Sequence, residues 1–188
     1  MLNPRVFNAI CHQWGRPQVD LFATRYNAQL TTFVSPVPDP LAYAVDAMVT
    51  PWAGMWAYAY PPPALLPLVL EKVADETVRL VLIAPFWPKR PWFPRLLELL
   101  VEPPWELPQW PDLVHQGRLL HARPGMFHLH AWLLSSDRCE HKAFLAKLPL
   151  ALLSHTAPVL SSSTKPSGPG SAIGVLHDRL ITSKFLPI

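Results

Sequence analysis

Trp56-Ala-Tyr-Ala-Tyr60, Pro61-Pro62-Pro63, the run to Val73 and then Arg79-Leu-Val-Leu-Ile-Ala-Pro-Phe86 form the stretch that decides the fold. Trp56 to Tyr60 has a strand pattern, stopped by three prolines that offer no N–H to a ladder. Proline is tolerated in the first turn of a helix, so Pro63 can open one. Leu65, Leu66, Val69, Leu70 and Val73 recur on one side of that helix, with Glu71 and Lys72 outward. Arg79 to Phe86 is apolar without alternation, the pattern of a strand covered on both faces. Strand, helix and buried strand in that order predict a parallel βαβ unit.

Working outward, Asn3-Pro4 predicts an N-cap and first helical position, followed at helical spacing by Val6, Phe7, Ile10 and Trp14, with Gly15 closing the helix. Gln18 to Thr24 is a short apolar run containing one acid, Asp20, and predicts a strand. Pro91 to Leu100 predicts a second proline-started helix and Met126 to Leu134 a last strand. Residues 1–136 thus predict an α/β domain with a mostly parallel sheet. All eight Trp precede residue 137 and the Ser-rich stretches follow it, which marks a boundary near Ser135-Ser136-Asp137. Residues 137–165 read as a linker holding one short helix through Phe144, Leu145, Leu148 and Leu152-Leu153. Residues 161–171 have linker composition, and residues 166–188 are expected to be a disordered tail. Trimming residues 160–188 should therefore change thermal stability little.

The 188 residues include 24 Pro and 7 Gly; half are hydrophobic and 15% are charged. Ordinary domains carry roughly 25% charged residues and about 5% Pro. There is ample material for a core, and long helical bundles are excluded by the prolines. The longest apolar run, Leu80 to Trp87, is far short of the ~20 residues of a membrane span. The start Met1-Leu2-Asn3-Pro4-Arg5 does not signal secretion, so an intracellular site, nuclear or cytoplasmic, is expected, with no membrane partner. Cys11 and Cys139 cannot make a disulfide framework or a thiolate zinc site, and read as buried or half-exposed free thiols. Of the net charge of +3, residues 1–136 contribute none, with ten basic and ten acidic residues.

Several residues could carry chemistry. Asp20 lies in an apolar strand, where an unpaired carboxylate is costly. It either meets a ligand at the carboxyl end of its strand, as acids in open α/β sheets do, or caps a neighbouring loop. Lys89, Arg90 and Arg95 beside Trp87, Trp92 and Phe93 either bind nucleic acid by charge and stacking or form a lid on the core with basic stems laid along it. His128 and His130 alternate on the last strand and, with His121, could form a metal cluster. No carboxylate or Cys completes a zinc spacing, so a solvated or partner-facing strand edge is expected, and no metal.

Tyr60-Pro61-Pro62-Pro63 resembles the strand-end (Asp or Asn)-Pro-Pro-aromatic tetrapeptide of amino-methyltransferases. There the acid or amide accepts a hydrogen bond from the target amine and the aromatic stacks on the flipped base. In this sequence Tyr60 replaces the acceptor and Pro63 the aromatic.

A longer series of motifs has a family resemblance. Trp14-Gly15-x-Pro17-x-Val19-Asp20-Leu21-Phe22-Ala23-Thr24-x-x-Asn27, Phe33-Val-Ser-Pro-x-Pro-Asp39-Pro40, Ala44-Val-Asp46-Ala47, Trp56-Ala-Tyr-Ala-Tyr-Pro-Pro62, Ala84-Pro-x-Trp-Pro-x-x-Pro-Trp92-Phe93 and His130-Ala-Trp-Leu-Leu-Ser-Ser136 occur in order. They resemble the segment between RNase H and recombinase in polyproteins of DIRS-like, tyrosine-recombinase retrotransposons. That segment is similar to phage-type Dam adenine-N6 methyltransferases. The resemblance implies a Rossmann-like methyltransferase fold, an S-adenosylmethionine pocket using Asp20, Ala23, Asn27 and Asp46, and a degenerate catalytic motif at Tyr60, Pro61, Pro62 and Pro63. It also implies DNA and the neighbouring polyprotein domains as partners. The acids of reverse transcriptase and RNase H and the recombinase's catalytic residues are not in this chain. After Ser163-Thr164-Lys165 the family's recombinase start is replaced by Pro166-Ser-Gly-Pro-Gly170, so residues 166–188 read as non-native. Impaired catalysis is the expectation. An active adenine methyltransferase and an inert linker module are the alternatives.

Overall fold

The computed structural model describes residues 1–116, 119–120, 128–149 and 172–188. In chain order the elements are α1 (Pro4–Trp14), β1 (Val19–Asp20), β2 (Val34–Ser35), β3 (Ala44–Val45), β4 (Trp56–Ala59), a 3-10 turn (Pro63–Leu65), α2 (Leu66–Asp75), β5 (Arg79–Pro85) and α3 (Phe93–Glu98). They continue with β6 (Trp105–Glu106), β7 (His115–Gln116), β8 (Leu119–Leu120), β9 (Leu129–Ser135), α4 (Arg138–Lys147), β10 (Ala172–Leu176), β11 (Arg179–Thr182) and β12 (Lys184–Phe185).

Local chemistry accounts for the helix starts. The Asn3 side chain accepts from Arg5 N–H at 2.9 Å and Pro4 holds the first helical position. Gly15 closes α1 with φ 90, in the left-handed region, and its N–H bonds to the Cys11 carbonyl. The three prolines after β4 lead into the 3-10 turn and then α2, which turns Leu66, Val69, Leu70 and Val73 inward. Asp137 caps α4 through Cys139 N–H.

A six-stranded sheet, order β1-β4-β5-β9-β6-β12, forms the middle layer. Strands β1, β4 and β5 are mutually parallel, β9 runs against both β5 and β6, and β12 is parallel to β6. Only β9 therefore runs against the rest of this sheet, and the mixed α/β, mostly parallel architecture is as expected. The isolated bridge from Asp20 to Phe33 sets the short β2–β3 pair alongside β1. One face of the sheet is covered by α1: Val6, Phe7 and Ile10 pack on Tyr58, Val81, Ile83, Ala131 and Leu133. The other is covered by α2, α3 and α4, whose Val69, Leu96 and Phe144 pack with Leu80, Leu82, Trp132 and Leu134.

Three expectations change. The strand over Gln18–Thr24 shrinks to Val19–Asp20, because the chain turns at once into a loop capped by Asp20. The last strand is interior, hydrogen-bonded on both sides, so His130 is buried and does not lie on a solvated edge. Residues 172–188 are ordered into three strands, which corrects the disordered tail. The β10–β11 hairpin buries Ile173 and Ile181 in the same core as α2–α4, and β12 adds to the sheet edge and buries Leu186 on the α1 face. Gly174 lies so close to α3 that a Cβ there would meet Leu97 Cδ1 at 2.8 Å. Phe144 and Leu148, after the expected boundary at Asp137, belong to that core too. The remaining linker and tail expectations, for residues 150–171, lie outside the described residues, as does His121.

Candidate functional site

Strands β1 and β4 run side by side, with Asp20 opposite Tyr58. Residues directly opposite each other share a face, and so do residues two apart on a strand. Asp20, Tyr58 and Tyr60 accordingly project to the α1 side, at or just past the carboxyl ends of their strands. The Phe7 ring meets Tyr58 edge-on, with centroids 5.0 Å apart, and Tyr60 packs against the same cluster, half-buried. Tyr60, just past the strand end, thus sends its aromatic side chain to the α1 side of the sheet.

The polar groups of this cluster differ in how they are satisfied. Asp20 is 2% exposed. Its two carboxylate oxygens accept from Phe22 N–H at 3.4 Å and Gln29 N–H at 3.0 Å, so the acid caps the loop that follows it. Burial pushes its pKa up to about 6, against the lowering effect of those two bonds and of the chain's terminal amine. Burial also pushes the Tyr60 hydroxyl up to about 12. Tyr58 is also driven well above the ordinary tyrosine value, by burial first and then by Asp20, Tyr60 and Cys11, and its hydroxyl has no hydrogen-bond partner. Both tyrosines are neutral at physiological pH.

The other residues expected near a cofactor fulfil local roles. Ala23 is buried, its N–H on the Val34 carbonyl at 3.3 Å. Asn27 Oδ1 accepts from both the N–H and the hydroxyl of Thr24, at 2.6 and 3.1 Å, closing a turn. Asp46 has φ 62 and accepts from Met48 N–H at 2.9 Å. It is exposed, whereas Trp52, six residues on, is fully buried with its indole N–H on the Ala47 carbonyl.

A second feature lies beyond the carboxyl ends of β4 and β5, where open α/β sheets carry their ligand crevices. A groove of about 610 Å³ separates the segment leading into α2 from the segment leading into α3. One wall is Pro63, Ala64, Pro67, Leu70 and Glu71. The other is Trp87, Arg90, Pro91, Trp92 and Arg95. Four of the six basic and aromatic candidates, Trp87, Arg90, Trp92 and Arg95, thus meet one member of the degenerate motif, Pro63. Lys89 is exposed beside them. The Trp87 and Trp92 rings are 6.5 Å apart and tilted by 48°. The Arg90 guanidinium lies 5.3 Å from the Trp87 ring centroid, and Arg95 pairs with Glu98 at 2.9 Å. Trp92 also leans on Phe93, which packs edge-on against Trp132. The lid reading and the binding reading thus describe the same side chains.

The proline wall escaped the sequence reading. Its signal was present: Pro63, Pro67 and Glu71 recur every four residues, the outward stripe of a helix whose inward stripe is apolar.

His128 and His130 have different surroundings. His128 is exposed with its ring Nδ1 2.9 Å from Gln109 Nε2, while His130 lies between Phe86 and Trp132, with ring centroids 5.3 and 5.4 Å away. Burial lowers the His130 pKa to about 4, so it is neutral at physiological pH. Among the described residues no three His, Cys, Asp or Glu side chains are grouped to hold a metal, and no helix is long and apolar enough to cross a membrane. Cys11 is half-buried and Cys139 is exposed, more open than expected. A scan of protein-family models finds none that matches the chain, and a search of curated protein sequences finds no similar protein.

Proposed function

We propose that this chain is a retroelement-derived, Rossmann-like methyltransferase-type domain without methyl-transfer activity, serving as a DNA-handling module beside the neighbouring domains of a polyprotein that copies and integrates DNA. One observation carries the reading. Tyr60-Pro61-Pro62-Pro63 stands immediately beyond the carboxyl end of a parallel strand whose neighbour ends in Asp20, the place a strand-end methyltransferase motif would occupy.

The same placement argues against transfer. An acceptor and a stacking aromatic must act on one base, and a misplacement near 1 Å can cost about a hundredfold in rate. Tyr60 packs with the α1 cluster, whereas Pro63 lines the groove on the α2 side. The two positions diverge. Three of the four residues expected to hold S-adenosylmethionine serve other ends. Both Asp20 oxygens and the Asn27 side-chain oxygen are bonded within their own loop, and Ala23 has no polar side chain. We derive no step through that cofactor.

Transfer of a labelled methyl group from S-adenosylmethionine to adenine-containing DNA should stay at background for the native chain. It should remain there for the Tyr60→Asn/Pro63→Tyr double variant, whose new amide would still project to the α1 side. Robust transfer by the native chain, abolished by Asp20→Ala, would establish an active adenine methyltransferase instead.

A further inference from the structure

We propose that the groove between Pro63–Glu71 and Trp87–Arg95 binds single-stranded nucleic acid, an unpaired base lying on Trp92 or Trp87 with its phosphates at Arg90 and Arg95. The inference rests on reading the chain as a nucleic-acid-handling module and adds the strand state and the surface.

The groove's volume of about 610 Å³ falls within the ~300–1,000 Å³ of sites that enclose a small ligand. That is room for a base with its sugar, but not for a duplex. Its wall carries two indole rings, Trp87 and Trp92, on which unpaired bases can stack and paired, stacked ones cannot. The platform is braced from below, because Trp92 rests on Phe93 and Phe93 on the buried Trp132. Stacking on a preset ring loses less ordering entropy than stacking on a free one. Two cations, Arg90 and Arg95, line the groove against one acid, Glu71; Arg95 is shared with Glu98, and exposed Lys89 adds to the positive side. Aromatic grooves also take polyproline segments. Here, however, the wall facing the tryptophans is already proline, and the excess charge favours a polyanion.

The test is fluorescence anisotropy with the full chain, without cofactor. The probes are labelled single strands of dT, dA and rU about ten nucleotides long, within the ~4–16 nucleotides of a single-strand site. A duplex of equal length and an Arg-containing proline-rich peptide complete the set, and the DNA and RNA strands identify which sugar is preferred. Single strands should bind at least about tenfold tighter than the duplex. Trp92→Ala should weaken them by about 5- to 150-fold, the loss of one stacked base. Trp92 also packs on the core, so the exposed Arg90→Ala gives an independent reading. It should flatten the slope of log K against log salt by about 0.7, one phosphate contact on a single strand. Glu71→Gln should tighten binding. Four results would overturn the proposal: equal affinity for duplex; single-strand binding untouched by Trp87→Ala and Arg90→Ala; preference for the peptide, weakened by Glu71→Gln; or no nucleic acid bound at all. The first two leave the DNA-handling reading standing through another surface, and the last removes both.

Discussion

The two faces of the central sheet each bury a titratable group, and the two groups are of opposite kind. Toward α1 lies Asp20, an acid whose pKa burial raises to about 6. Toward α2 and α3 lies His130, a base whose pKa burial lowers to about 4. The faces differ also in how they end. The α1 face closes over Asp20, Tyr58 and Tyr60, while the other opens at the strand ends into the groove. Polarity in a strand thus marks a place that must be covered and capped, and the surface able to meet a ligand is built from prolines, tryptophans and arginines on the opposite side.

The largest expected effect comes from removing residues 172–188, which belong to both faces. Ile173 and Ile181 close the α2–α4 face and Leu186 the α1 face. Burial of an aliphatic side chain is worth about 1.5–3 kcal/mol, so three together are worth roughly 5 kcal/mol. Whole domains are stable by only about 5–15 kcal/mol. Truncation should lower Tm by more than about 10 °C, at ~2–4 °C per kcal/mol for a chain of this size, or abolish cooperative melting. A Tm within about 2 °C of the full chain would show that the C-terminal strands close neither face.

The pH dependence of stability separates the faces. Asp20 ionises near 3.8 when unfolded and about 6 when folded, so the folded chain holds the extra proton between those values. Its contribution to stability is present below pH ~4 and is lost as pH rises through 6. His130 titrates near 6.5 unfolded and about 4 folded, so the unfolded chain holds the extra proton. Its contribution is present above pH 6.5 and is lost as pH falls through 4. At about 1.4 kcal/mol per pH unit, each amounts to roughly 3 kcal/mol, and between pH 4 and 6 they oppose one another. Chemical denaturation across that range should give a nearly flat difference for the pair. His130→Phe should leave stability falling by about 2–3 kcal/mol from pH 4 to 6 relative to the parent, and Asp20→Asn should leave it rising by as much. Subtraction from the parent curve removes the contribution of other carboxylates, such as Glu76. Parallel curves for parent and both variants would mean that neither group is buried as described.

Where apolar period and cap chemistry coincide, the fold was legible. Asn3-Pro4 with Val6, Phe7 and Ile10, the helix after Pro63, and the unbroken run of β5 each fixed an element to within a few residues. Two-residue strands such as β2, β3 and β6 cannot show a period, and the reversal of β9 depends on tertiary pairing alone. The C-terminal hairpin turns at His177 and Asp178, with φ 47 and 60. That geometry usually selects Asn-Gly, so its signal was faint after a Ser- and Pro-rich run. At the candidate site, Asp20 as a loop cap and the Arg90–Trp92–Arg95 group were both readable. That Arg90, Trp92 and Arg95 meet Pro63 and Pro67 while Tyr60 projects to the α1 side was not, since this depends on which face each segment after a strand turns toward.

The smallest predicted effect probes how well each face satisfies its buried polar atoms. On the α2 side the indole N–H groups of Trp52 and Trp132 donate to the carbonyls of Ala47 and Ala84, at 2.9 and 3.1 Å. Among the described residues the buried side-chain atoms without a partner are Tyr58 Oη and Trp105 Nε1, and both residues pack on the α1 side. A buried polar group left unpaired costs about 1–3 kcal/mol. Tyr58→Phe removes that group while keeping the ring and its edge contact with Phe7, so it should stabilise the chain by about 1 kcal/mol. It should also leave the Asp20 pH difference in place, because burial rather than the Tyr58 hydroxyl is its main cause. Trp132→Phe, which removes a satisfied donor and part of a fully buried ring, should lose stability instead, by about 2–3 kcal/mol. A loss on Tyr58→Phe would mean that its hydroxyl has a partner, and the α1 face would then be as fully bonded as the other.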